Sequence, residues 1–175
     1  TAEMIKYASD AILATKISFA NAIAQLSEKT GADGLKVLRA VGLDKRIGSS
    51  FLAPGAGYGG SCFPKDVKAL IAIAREHDMD FGFLREVETI NENAMRDIVV
   101  KARRLLDGDL RNKTVGILGL SFKPDTDDMR DAPSLVVIEE LLKKGAKIHA
   151  YDPIAMENAK NFVKGVVFCK DPYAA

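Results

Sequence analysis

Three stretches decide the fold: Lys113-Thr-Val-Gly-Ile-Leu-Gly119, Pro133-Ser-Leu-Val-Val-Ile-Glu-Glu-Leu-Leu-Lys-Lys-Gly145 and Lys147-Ile-His-Ala-Tyr-Asp152. The first is a short apolar run closed by glycine, the pattern of a buried strand. The second opens on a proline suited to a first helical turn and stops at Gly145. The third is a second strand, and strand, helix and strand in this order make a βαβ unit of a parallel sheet. Val166-Val-Phe168 reads as a third strand. Three parallel strands make a thin sheet with open edges, which suggests part of a larger domain.

Upstream the pattern is helical. Residues 2–29 hold no Gly or Pro, and Ile5, Ala8, Ile12, Ile23 and Leu26 recur at helical spacing. This predicts one long helix with a broad apolar surface, packed on more than one neighbour and ended by Gly31. Asp33 to Val41 reads as a short helix with Val37, Leu38 and Val41 inward, closed by Gly42. Further helices are expected from Pro64 to about His77 and from about Phe83 to Leu106. The fold class is therefore a long-helix, all-α domain over 1–108, followed by the first part of a parallel-sheet, Rossmann-like α/β domain over 112–175.

Composition narrows the function. The 175 residues carry 25 Lys and Arg against 24 Asp and Glu, and 47% are hydrophobic. Such a chain has enough apolar material for a core, and its near-zero net charge gives no reason to expect nucleic acid or an anionic membrane. No apolar run approaches the roughly 20 residues of a membrane span. Two cysteines and two histidines, Cys62, Cys169, His77 and His149, are too scattered for a metal site. Scattered cysteines without a leader peptide suit a reducing, cytoplasmic setting. Thr1 stands where a Met would begin a chain and leads directly into a helix, which suggests a piece of a longer protein.

Between the first helices lies a long irregular segment, residues 44–66, with five Gly and two Pro. Loops of this length are usually functional or disordered, and Phe51, Leu52, Tyr58 and Phe63 argue for order. Its end, Gly59-Gly-Ser-Cys62-Phe-Pro-Lys-Asp66, is the strongest candidate site. A cysteine at a helix start meets unpaired backbone N–H groups and the positive dipole end, which favour the thiolate. Asp66 follows one helical turn later, so thiolate and carboxylate share a face and can act as nucleophile and water-orienting base. The plain alternative is an inert thiol in a glycine-rich turn. Lys6 and Asp10, at i and i+4, read from spacing alone as a surface ion pair. The loop Gly119 to Arg130 lacks the G-x-G-x-x-G fingerprint of dinucleotide sites. It nevertheless lies at the carboxyl end of a parallel strand, where Phe122 can stack on a base and Lys123 and Arg130 can meet phosphates.

These residues resemble the UDP-glucose 6-dehydrogenases of the UDP-glucose/GDP-mannose dehydrogenase family. Residues 57–66, with Lys45 to Gly48 and Phe51-Leu52, are similar to that family's catalytic loop. Glu3 to Phe19 is similar to its central helix, and Gly119 to Arg130 to the opening of its UDP-binding domain. The resemblance implies the central domain and about half of the last one, without the N-terminal NAD domain. It implies a two-step, four-electron oxidation of a sugar 6-hydroxyl to a carboxylate with NAD as cofactor, through a thiohemiacetal and a thioester on Cys62. Lys6 then stabilises an oxyanion, and Asp66 orients water. Ile17, Phe51, Tyr58, Gly59 and Phe63 line the sugar-nucleotide site, Phe122 and Lys123 hold uracil or phosphate, and Arg46 reaches in from a second subunit. Lys65 and Arg130 approach NAD. A homodimer through the long helix is implied as well.

Asp10 departs from the family's usual Asn; a carboxylate cannot donate a hydrogen bond and weakens the field of Lys6. Two alternatives stand beside this reading. One is a GDP-mannose or UDP-N-acetyl-hexosamine dehydrogenase, although the latter more often has His at the position of Ser61. The other is a non-catalytic helical dimerisation module.

Overall fold

The computed structural model describes residues 1–175. Helix α1 spans Ala2–Thr30 and stops at Gly31, whose left-handed conformation lets its N–H bond the carbonyl of Ser27. Helix α2, Gly34–Gly42, is capped by Asp33, whose carboxylate accepts from the N–H of Lys36 at 3.1 Å. After the long loop come α3, Phe63–Glu76, with Pro64 in its first turn, and α4, Gly82–Leu105. Strand β1, Thr114–Leu118, helix α5, Pro133–Lys143, and strand β2, Lys147–Tyr151, form the expected βαβ unit. A four-residue helix α6, Met156–Ala159, precedes strand β3, Val166–Phe168. The sheet is parallel in the order β1-β2-β3, with Thr114 opposite Lys147 and Ile148 opposite Val166.

The chain forms two compact units. The first comprises residues 1–58 and 62–94, the second residues 59–61 and 95–175. In the first, α1 packs on α2 and α3, and Ala11, Ala14, Tyr58, Val67, Leu70, Leu84 and Val87 form the core. The Ser18 hydroxyl also ties α1 to α4 by donating to the carbonyl of Val87 at 2.9 Å. In the second, Leu120, Met129, Ile138, Leu141 and Ile148 are the largest fully buried side chains, packed about the sheet and α5. Each such aliphatic side chain contributes roughly 1.5–3 kcal/mol when buried.

The inward face of α1 is lined by small residues: Ala11, Ala14, Ser18, Ala20, Asn21 and Ser27. The large apolar residues Ile5, Ile12, Phe19 and Leu26 are 62%, 58%, 49% and 56% exposed. Small side chains bring the neighbouring backbones close, and the bulky ones are left outside this chain's core. In α2, likewise, Leu38 is buried but Val37 is exposed.

Candidate active site

The loop that carries Cys62 is held by backbone hydrogen bonds and buried amides. Within the first unit, the Gly55 N–H donates to Asn21 Oδ1 at 2.7 Å, and the Tyr58 N–H donates to Asn91 Oδ1 at 2.7 Å. Cys62 caps the N-terminus of α3; its carbonyl accepts from the N–H of Asp66 at 2.9 Å, which closes the first helical turn. The Cys62 side chain is exposed, whereas Cys169 is buried. A sulfur sealed in hydrocarbon is thereby excluded.

One turn further, Asp66 has no exposed surface. Its Oδ1 takes the Lys65 ammonium at 2.5 Å and its Oδ2 takes the ammonium of Lys6 from α1. The same Lys6 nitrogen donates to Asp10 Oδ2 at 2.9 Å. The site is therefore a chain of four alternating charges, Asp10, Lys6, Asp66 and Lys65. Burial pushes the Asp66 carboxyl up, but the bonds from Lys6 and Lys65 outweigh it and hold the group at about 2. The bonds to Asp10 and Asp66 raise Lys6 above the ordinary lysine range, and Asp66 does the same for Lys65. At neutral pH Lys6 is therefore a fixed cation. Asp10 draws on that cation directly, as its carboxylate chemistry implies.

Aromatic residues flank the thiol turn. Phe63 meets Tyr58 edge-on at 6.0 Å and Phe51 at 6.1 Å between ring centroids. Ile17 is half-buried against the same core. Tyr58 is buried and its hydroxyl has no hydrogen-bond partner. Its burial, and then the nearby Glu88 and Glu92, push the phenol upward. Arg46 is exposed and is held by Asp44, whose carboxylate accepts both its backbone N–H at 2.9 Å and its guanidinium at 2.6 Å. Lys16 fixes that turn by donating to the carbonyl of Ile47 at 2.9 Å.

Gly59, Phe122, Lys123 and Arg130 belong to the second unit. Gly59 is buried so closely that a β-carbon there would lie 2.0 Å from the Asp131 carbonyl oxygen. The Gly60 N–H donates to the Arg130 carbonyl at 2.9 Å. Phe122 is half-buried, and the Lys123 ammonium sits 5.3 Å from its ring centroid. Arg130 repeats the device of Arg46: Asp128 accepts its N–H at 3.0 Å and its guanidinium at 2.6 Å. Asp152, at the end of β2, is buried and accepts from the N–H groups of Leu120, Ile154 and Ala155 at 2.7, 2.8 and 2.7 Å. It thereby pins the loop after β1.

The sequence reading missed Asn21, Asn91, Lys16 and Asp152. None of the four carries a local signal, whereas the Asp-x-Arg pattern at 44–46, 109–111 and 128–130 does, because an Asx turn and an ion pair fall at the same spacing. No cluster of His, Cys, Asp and Glu is arranged to hold a metal, and no helix is long and apolar enough to cross a membrane.

An exposed cysteine at a helix start, a buried carboxylate one turn on and a lysine between two carboxylates thus stand together in the first unit. Residues 1–93 match the central domain of the UDP-glucose/GDP-mannose dehydrogenase family, and residues 116–175 match its UDP-binding domain. The chain belongs to that family. It is 53% identical over 171 residues to UDP-glucose 6-dehydrogenase YwqF of Bacillus subtilis, covering 98% of this chain and 39% of that protein. It is 47% identical over 175 residues to the UDP-glucose 6-dehydrogenase of Rhizobium meliloti, covering 100% and 40%. A UDP-glucose dehydrogenase structure from Pyrobaculum islandicum superposes with a TM-score of 0.94 at 42% identity, over 98% of this chain and 40% of that one. The chain thus spans about 40% of the length of these relatives.

Proposed function

We propose that the chain is the central and UDP-binding part of an NAD-dependent UDP-glucose 6-dehydrogenase that makes UDP-glucuronate in the cytoplasm. The observation that carries the reading is the charge chain Asp10–Lys6–Asp66–Lys65, set one helical turn from the exposed Cys62. Names of relatives give the sugar nucleotide; the chemistry follows from the residues. Once C6 of the sugar is an aldehyde, the Cys62 sulfur adds to the carbonyl carbon and the oxygen becomes an oxyanion. Lys6, held as a cation, faces that charge, and protonation gives the thiohemiacetal. Oxidation of this adduct leaves a thioester on Cys62. Water aligned by Asp66 then adds to the acyl carbon, the carbon–sulfur bond breaks, and the carboxylate and the thiol are released. An Asp66 ionised down to about pH 2 keeps its acceptor lone pairs throughout the physiological range, beside the two lysines that cover it.

NAD would take up the hydride of each oxidation. This chain offers it no glycine-rich cradle, and Lys65 and Arg130, assigned to its edge, are engaged by Asp66 and Asp128. Tyr58, Gly59, Phe51, Phe63 and Ile17 line the sugar side in this reading, Phe122 and Lys123 the nucleotide side, and Arg46 serves a neighbouring subunit. The helical part, 1–108, and the α/β part, 112–175, are its two domains.

A dimer fits the same reading. Ile5, Ile12, Phe19 and Leu26 recur every seven residues and are exposed along α1, a seam suited to a second copy. The test is turnover by the full-length protein with a panel of UDP- and GDP-sugars, beside Cys62→Ser. UDP-glucose should be preferred and Cys62→Ser should make no glucuronate, while residues 1–175 alone should reduce no NAD. Preference for GDP-mannose or an N-acetyl-hexosamine would overturn the substrate, and glucuronate from Cys62→Ser would overturn the covalent step.

A further inference from the structure

The thiol-bearing loop is clamped at one residue by a side chain outside the charge chain. Asn91, in α4, is buried. Its Oδ1 accepts the Tyr58 N–H at 2.7 Å, and its Nδ2 donates to the Tyr58 carbonyl at 3.0 Å. One carboxamide thus satisfies both backbone groups of a single residue, as a neighbouring strand would. Gly57 is matched to it. That residue has φ +97°, and a β-carbon there would lie 2.7 Å from Asn91 Oδ1 and 3.1 Å from the Asn91 carbonyl oxygen. Only glycine lets the loop approach closely enough for both bonds. The amide is also chemically required. A carboxylate at 91 could not donate to the Tyr58 carbonyl, and it would add charge near Tyr58, which already feels Glu88 and Glu92.

We infer that Asn91 is a positioning residue of the proposed reaction: its carboxamide fixes the backbone on both sides of Tyr58, four residues before Cys62, and so sets where the thiol turn begins. The inference rests on the proposed thiol chemistry, and the experiment separates the two. Asn91→Leu removes both bonds at similar volume, whereas Asn91→Asp keeps the acceptor for the Tyr58 N–H and loses the donor. Both are measured in the full-length protein, with Cys62→Ser alongside.

Asn91→Leu should speed exchange of the Tyr58 amide by about tenfold or more and lower kcat about tenfold, each 1.4 kcal/mol per decade, with KM for UDP-glucose within about threefold. Asn91→Asp should keep the Tyr58 amide protected and show an intermediate kcat. A residue with a merely structural role would lower the melting temperature and leave kcat unchanged below it, and that result overturns the inference. Should Asn91→Leu fail to fold, Asn91→Asp decides alone, and wild-type kcat in that variant overturns the inference. Full glucuronate production by Cys62→Ser would instead overturn the thiol chemistry and leave the clamp to be judged by amide exchange.

Discussion

Replacing Asp66 by Asn removes one charge from the centre of the site and keeps its shape. The carboxylate is fully buried and receives two ammonium groups. Its downward shift, from 3.8 to about 2, corresponds to roughly 2 kcal/mol at 1.36 kcal/mol per unit. Lys6 and Lys65 are more than half exposed, so solvent screening brings the figure to about 1–2 kcal/mol. The folded-state value is depressed, so this stability is present above the unfolded value near 3.8 and is lost as pH falls toward 2. Asparagine does not titrate, and it keeps only one of the two oxygens that separately hold Lys6 and Lys65. Urea denaturation of both proteins, followed by far-UV circular dichroism, should therefore give a gap of about 1–2 kcal/mol at neutral pH. The gap should shrink as pH falls from about 4 toward 2. A gap that stays constant across that range would refute the reasoning, because it would trace the loss to packing rather than to the ion pairs.

Native alkylation should reach Cys62 well before Cys169, since the first is exposed and the second buried, and the two rates should converge in denaturant; equal native rates would contradict the geometry. Tyr58→Phe deletes a buried hydroxyl without a partner and should leave stability unchanged or raise it by about 1 kcal/mol, read from thermal melting. Asp152→Ala orphans the N–H groups of Leu120, Ile154 and Ala155 and should destabilise the second unit by about 2–4 kcal/mol, seen as faster amide exchange at those residues.

The elements were legible because each carries its own stop signal. Gly31 ends α1, Pro64 and Pro133 open α3 and α5, and the glycine-bounded apolar runs are β1 and β2. Helix α6 was not legible, since four residues hold too little periodicity to stand out. Which face of α1 turns inward was not legible, for a physical reason. Apolar spacing locates a stripe but not what covers it, and this chain buries the alanine face while leaving Ile5, Ile12 and Leu26 exposed. At the site, Cys62 and Asp66 were joined by a one-turn spacing that the Asp66 N–H to Cys62 carbonyl bond bears out. The contact of Lys6 with Asp66 spans sixty positions, so no local pattern carries it; only the family resemblance brought those residues together. Asn91 escaped notice because a buried amide in a helix has no sequence signature apart from its partner loop.

The most direct test of the covalent account is a mass measurement on Cys62. In the full-length protein carrying Asp66→Asn, quenched during turnover of UDP-glucose, the account predicts a UDP-glucuronyl thioester on the peptide that contains Cys62. A bare Cys62 peptide under conditions where glucuronate is still being formed would contradict it.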